Sequence, residues 1–290
     1  MRYLIIILIT SVNIYSQEIV EKDSLWTKRG NVTVLLNQTG FSDWVGGGTN
    51  NFSGTIKFDY EWEYRNKGWD WLSNVESAFG LAKYKNAPFA RKIDDRILIQ
   101  SIVGKEFTRN LSFSAFFNFT SQIGNGYKYK KDDDNNEIRE LTTRIFSPAY
   151  FQIGSGFLWK KDEKLWLNYS PIASRLILVS KKFTDGLSEN DTYFGVSPNK
   201  SSRYELGANL TFHSEGSLLK NINYKQDLKL FSNYLEDPSN IDLDYLAQIE
   251  INVNPLLSTQ LIFQLIYDDN AISRLQVREV FGVGVQLKLN

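Results

Sequence analysis

Apolar and polar residues alternate with a period of two along most of this chain. From Thr55 to Arg65, Ile56, Phe58, Tyr60, Trp62 and Tyr64 fall on one face, and Thr55, Lys57, Asp59, Glu61, Glu63 and Arg65 on the other. Successive side chains of a β-strand point to opposite faces, so this stretch predicts a strand with one apolar and one polar side. The signature recurs at Leu111–Thr120, Tyr204–Phe212, Ile241–Val253 and Phe281–Leu289. Twelve strands are expected, near 31–38, 51–65, 69–84, 95–107, 110–123, 146–160, 164–180, 203–214, 219–235, 240–253, 257–269 and 277–289. Apart from the first residues, no helix-length segment with a 3.6-residue period competes.

The links between these strands alternate in length. Short turns are expected at Asn66-Lys67-Gly68, Thr108-Arg109-Asn110, Lys161-Asp162-Glu163, Glu215-Gly216-Ser217-Leu218 and Asn254-Pro255-Leu256. Mostly longer links lie between them, at 39–50, 85–94, 124–145, 181–202, 236–239 and 270–276. An up-and-down barrel in an outer membrane has this asymmetry, with short periplasmic turns and longer outer loops. An even strand number brings both ends of the barrel to the short-turn side.

Alternation alone does not say which face meets lipid, since a soluble sandwich or lipocalin-like barrel also alternates. Strand length and aromatic placement favour the membrane. Many strands run ~12–16 residues, more than the ~9–11 a tilted membrane strand needs. Trp62, Tyr64, Trp69 and Trp71 flank one short turn, and Trp159 and Trp166 another, as in an interfacial girdle. The polar face, rich in Gly, Asn, Gln, Ser and both charge signs, reads as a lumen. The expected fold is therefore all-β, an up-and-down antiparallel transmembrane barrel.

Composition narrows the class further. The 33 basic and 33 acidic residues cancel, which gives no electrostatic reason to expect nucleic acid. With no cysteine, disulfides, thiolate metal sites and cysteine nucleophiles are excluded. Met1-Arg2, an apolar run from Leu4 to Ile9 and Ser16-Gln17 read as a signal peptide over 1–16. The run is too short to span ~30 Å of hydrocarbon as a helix. A short periplasmic segment over 17–30 and a barrel over 31–290 are expected to follow. The implied setting is a bacterial outer membrane, with its lipid, its lipopolysaccharide and the barrel-insertion machinery as partners.

Several segments carry a resemblance. They are Asn37-Gln38-Thr39-Gly40-Phe41-Ser42-Asp43-Trp44 with Gly46-Gly47-Gly48 and Asn50, Trp69-Asp70-Trp71 with Gly80-Leu81, and Asp94-Asp95-Arg96. Ser121-Gln122 with Gly126-Tyr127, Phe146-Ser147-Pro148-Ala149-Tyr150 and Tyr169-Ser170-Pro171 follow in the middle of the chain. Phe231-Ser232-Asn233-Tyr234, Asn240-Ile241-Asp242 and Tyr267-Asp268-Asp269 complete the series. The chain resembles a Bacteroidota family of uncharacterised outer-membrane β-barrels, defined as a domain of unknown function. The resemblance implies the fold and the compartment, and no substrate.

Candidate chemistry is sparse, and neither an enzyme nor a cofactor is expected. An outer-membrane phospholipase needs a His-x-Ser pair facing lipid. His213, the only histidine, is followed directly by Ser214 and Glu215, and its parity with Asn209 and Thr211 places it in the lumen. Asp132-Asp133-Asp134-Asn135-Asn136-Glu137 lacks the spacing of a calcium loop and reads as a solvated loop tip, with divalent binding among lipopolysaccharide as the sharper alternative. Gly46, Gly47 and Gly48 open no phosphate-binding helix; with Phe41 and Trp44 they form either a flexible outer loop or a constriction folded inward.

The lumen charges are the remaining candidates. Lys57, Asp59, Glu61, Glu63 and Arg65 lie on one strand, Arg96 and Glu106 on a second, Lys225, Asp227 and Lys229 on a third, and Asp242, Asp244 and Glu250 on a fourth. Charged rings select permeants, and opposite charges on facing strands fill a barrel. Two functions follow: a porin-like conduit for small solutes, or a closed barrel that binds a partner or lipopolysaccharide through its long outer loops.

Overall fold

The computed structural model describes residues 25–40 and 49–289. The expected signal peptide and the segment with Phe41, Trp44, Gly46, Gly47 and Gly48 lie outside the described residues.

Fourteen strands form: β1 (Trp26–Thr39), β2 (Asn51–Asn66), β3 (Trp69–Tyr84), β4 (Arg91–Thr108), β5 (Leu111–Ser121), β6 (Gly126–Lys131), β7 (Glu137–Thr143), β8 (Ala149–Asp162), β9 (Leu165–Leu178), β10 (Ser202–Leu219), β11 (Ile222–Asn233), β12 (Ile241–Asn252), β13 (Leu257–Asp268) and β14 (Ile272–Leu289). Twelve of them close a barrel in the order β1-β14-β13-β12-β11-β10-β9-β8-β5-β4-β3-β2. β1 pairs with β14 from Gly30↔Leu289 to Leu36↔Val283, which closes the seam. The twelve barrel strands match the twelve expected ones in order.

Several features differ from the sequence reading. β1 starts at Trp26 rather than near 31, because Trp26 pairs with Tyr64 and packs on Trp71. β10 runs on to Leu219, so the short turn is Lys220-Asn221 and not 215–218. β14 begins at Ile272, which shortens the expected link over 270–276 to 269–271. The longest link is not a plain loop: β6 and β7 pair within it as a separate hairpin.

Exposure is inverted relative to a water-soluble protein. Ile56, Phe113, Ile153, Ile172 and Phe281 are each more than half exposed on the outer wall. Thr33, Lys57, Glu76, Asn168, Glu205 and Asn209 are buried inside. An exterior with an apolar surface this extensive is at home only against an apolar medium. Within such a medium a closed ladder pairs strand backbone N–H and C=O groups internally instead of leaving them to water. The outer face is therefore the lipid face, and the two-sided pattern of each strand is that of a membrane barrel.

One end carries the short turns and both ends of the barrel sequence. There Trp26, Tyr64 and Trp71 cluster with centroid separations of 5.0 and 5.8 Å, and Lys105 Nζ lies 5.1 Å from the Trp69 ring. Phe107, Phe113 and Phe157 continue the belt. Trp166 does not join it: it shares the inner face with Asn168 and Ser170 and is buried.

Candidate functional site

The lumen is filled from two sides. On one wall an apolar cluster of Ile102, Phe116, Leu158, Trp166 and Phe231, with Leu72 against it, projects inward. The sequence reading expected a mainly polar inner face, with Phe116 among its polar neighbours, and placed Trp166 in the interfacial girdle. The inward apolar residues arise because alternate positions of β4, β5, β8 and β9 need packing partners across the bore, and apolar side chains fill it without unpaired polar atoms.

Charged side chains also meet across the bore. Lys225 Nζ on β11 donates to Glu76 Oε1 on β3 at 2.8 Å, and approaches Glu61 Oε1 at 3.4 Å. β3 and β11 lie six places apart in a ring of twelve, so this ion pair crosses the full diameter. Glu76 Oε2 accepts from Arg96 Nη2 at 3.1 Å. Lys57 Nζ donates to Gln260 and Gln248 at 3.0 and 3.1 Å. Nearer the short turns, Arg29 joins Glu61 at 2.6 Å to Glu215 at 2.9 Å, and Lys160 pairs with Glu63 and Asp70.

Among the described residues, two large cavities lie in the bore, with a smaller one of 60 Å³ lined by Glu61, Trp166, His213 and Lys225, among others. The one at the long-loop end has a volume of 590 Å³ and is lined by Asp94, Arg96, Tyr150, Arg175, Lys229 and Arg278, among others. That at the short-turn end has a volume of 520 Å³ and is lined by Lys57, Asp59, Glu61, Lys225, Glu250 and Gln286, among others. They share no lining residue. Glu76 lies between them, bonded to Arg96 on one side and Lys225 on the other.

The long-loop end is partly covered. In the loop over 179–201, Val196 is buried against Ile177 and Val179, and Tyr193 and Phe194 pack on the same cluster. Tyr193 donates to the Thr142 carbonyl at 2.5 Å, which ties this loop to the β6–β7 hairpin. Burial pushes the Tyr193 phenol up to about 12, against a smaller opposing pull from Ser147.

With this geometry in view, the chain can be set beside known proteins. Residues 36–127 match a family described as "Protein of unknown function (DUF3078)". That stretch holds the first resembling segments, from Asn37 to Tyr127. No curated protein matches the chain. Among solved structures, the translocator domain of the autotransporter NalP from Neisseria meningitidis is 10% identical, with a TM-score of 0.43, over 92% of this chain and 89% of that one. An outer membrane channel from Pseudomonas putida is 11% identical, with a TM-score of 0.37, over 94% and 98%. The β domain of the Bordetella autotransporter BrkA is 8% identical, with a TM-score of 0.36, over 89% and 98%.

The charged residues singled out in the sequence divide among several groupings. Lys57, Glu61, Arg96 and Lys225 meet at mid-height, and Asp59 lines the short-turn cavity beside them. Glu63 is engaged by Lys160 and Arg65. Asp227 holds His213 Nδ1 at 2.7 Å, and the His213 ring stacks on Trp166 at 5.1 Å, as befits a packed lumen histidine. Asp242 accepts from Arg175 at 2.5 Å, Asp244 from Gln264 at 2.7 Å and Glu250 from Gln286 at 3.2 Å. Glu106 is exposed at the short-turn rim.

Glu76, Asp94, Lys160, Arg175 and Arg278 were missed as lumen candidates. Glu76 has even parity with Asp70 and Asn74, a signal weakened by Ser73 and Ser77 on the opposite face. Arg175 is hidden by a bulge. In β9, Trp166, Asn168 and Ser170 face inward, then Ala173, Arg175 and Ile177 do, since one extra residue near Pro171 inverts the parity. The 132–137 segment is the β6–β7 turn, where Asp132 accepts from the Asn136 amide at 2.8 Å. Among the described residues, the carboxylates that gather within 4.8 Å are those of Asp242, Asp268 and Asp269. Asp242 is already bonded to Arg175, and Asp268 to the Ala271 amide at 3.1 Å.

Proposed function

We propose that this protein resides in a bacterial outer membrane as a barrel closed across its middle, and that it acts through its outward, long-loop end. Residues 1–16 direct it across the inner membrane, and the barrel-insertion machinery sets it in lipid with the short turns inward. The β6–β7 hairpin and the 179–201 loop then stand among lipopolysaccharide. No reaction is assigned: His213 is held between Asp227 and Trp166, away from lipid.

One observation carries this reading. The 590 and 520 Å³ cavities share no lining residue, and Glu76 joins Arg96 above it to Lys225 below. A pair bonded across the diameter blocks the bore, whereas a charged ring that lines a pore leaves its centre open. Reconstituted in a planar bilayer, the mature protein is expected to give no current steps. The Glu76→Ala/Lys225→Ala double variant is expected to give them. Resolved steps from the unaltered protein would overturn closure.

A second reading has its own support. The two cavities approach one another from opposite ends and are separated at Glu76 by flexible charged side chains. That arrangement suits a conduit for small solutes whose gate is this ion pair, and such a gate predicts voltage-dependent steps from the unaltered protein.

A further inference from the structure

The charges lining the outward cavity do not all have partners. Asp94 is held by Arg278 at 3.1 Å, Asp95 by Lys92 at 2.5 Å, Asp242 by Arg175, Asp244 by Gln264 and Asp268 by the Ala271 amide. Each acidic side chain on this wall is thus met by at least one donor. Arg96 is held by Glu76. Lys229 differs: among the described residues its ammonium has no hydrogen bond and no ion pair, although it lines the cavity.

The neighbouring acids are engaged elsewhere. Asp244 stands opposite Lys229 in the β11–β12 register but accepts from Gln264. Asp227, one step deeper on the same strand, holds His213, and Glu76 is shared by Lys225 and Arg96. Asp244, Asp227 and Glu76 attract Lys229 without a direct bond, while Arg96 repels both it and Arg278. A cation with no hydrogen bond or ion pair of its own, beside a second cation and facing a cavity, is a place where an anion lowers the energy.

The rest of the wall adds an apolar preference. Tyr150, Phe194 and Ile266 line the same space, and 590 Å³ falls within the ~300–1,000 Å³ typical of small-molecule sites.

We propose that the outward cavity binds small organic anions, with a carboxylate seated on Lys229 and Arg96 and an apolar body against Tyr150 and Phe194. The site rests on the reading of this cavity as the outward end of a closed barrel. It names the chemistry of what that end receives.

The probe is benzoate, titrated calorimetrically into the refolded mature chain in a neutral detergent. Benzyl alcohol, benzylammonium and inorganic phosphate serve as comparisons. Benzoate is expected to bind about tenfold or more tightly than each of the three, as an added charge-assisted contact or apolar body implies. Lys229→Gln is expected to weaken benzoate by about tenfold, Lys229→Arg to retain it, and Glu250→Gln, in the other cavity, to leave it unchanged. Equal affinity for benzyl alcohol or benzylammonium overturns the anion site, as does a Lys229→Gln variant that binds normally. Phosphate binding as well as benzoate overturns the apolar wall. Should Lys229→Gln fail to fold, the four probes on the unaltered protein and the Lys229→Arg variant decide the matter alone. Loss of benzoate binding in a protein that stays non-conducting sinks the site and leaves the closed barrel standing. Conduction with binding intact does the reverse.

Discussion

A charged side chain inside a lipid-bound cylinder persists only when partners replace its lost water. Glu76 meets this condition twice over, with Arg96 and Lys225 on its two oxygens. Its face was readable from parity; its partners were not, because a contact between positions 76 and 225 has no trace in local periodicity. Tyr193 meets the same condition in neutral form. Its phenol is half-buried and donates to Thr142, and its pKa is raised to about 12. The folded loop favours the protonated phenol, so its stabilisation is complete below the ordinary tyrosine range near ~10. It is lost as pH climbs through about 12. A titration of tyrosinate absorbance is expected to include a late-titrating group that Tyr193→Phe removes. An unchanged curve would mean that the loop does not bury this ring.

At the scale of the element, alternation sets twelve strands and their faces, and a bulge in the middle of β9 breaks the rule. The extra residue near Pro171 brings the β9 backbone close to β8, which presents Gly156 there, and a separate close approach brings β11 against Gly207 of β10. A Cβ on Gly156 would stand 2.0 Å from the Tyr169 carbonyl oxygen, and one on Gly207 1.8 Å from that of Ser232. Gly207→Val therefore forces backbone movement. It is expected to destabilise the barrel by about 1–3 kcal/mol or more, measured by urea unfolding in lipid vesicles. A midpoint equal to the unaltered protein would refute the close approach. The bulge was not legible because parity is a local count, and inserting one residue moves every later side chain to the opposite face without changing composition. The β6–β7 hairpin escaped for a different reason: its strands are short, and the alternation of Tyr127 and Tyr129 with Lys128 and Lys130 lasts only a few residues beside a run of charge.

At the scale of the whole molecule, the apolar wall looks outward and the polar one inward. Trp69, Trp71 and Trp159 are at least two-fifths exposed on that outer wall, while Trp166 is buried in the lumen. In vesicles of brominated lipid, tryptophan emission is expected to be quenched in large part. Replacing Trp166 with Phe is expected to remove only an unquenched component. Emission indifferent to bromine would place the aromatic belt away from lipid.

The sequence by itself determined the period-two strands, their number and order, the alternation of short and long links, and which side chains share a face with Lys57 or Glu250. These are properties of neighbouring residues, and strand geometry converts them directly into structure. Only the tertiary structure decided that Glu76 and Lys225 meet across the bore, that Trp166 packs inward, that Arg175 lines the long-loop cavity, and that Lys229 makes no hydrogen bond or ion pair among the described residues. Those outcomes depend on closure of the ring, which sets β3 against β11. They also depend on a single bulge in β9 that reverses which side chains look in. Both act between residues far apart in the chain, where no local pattern reaches.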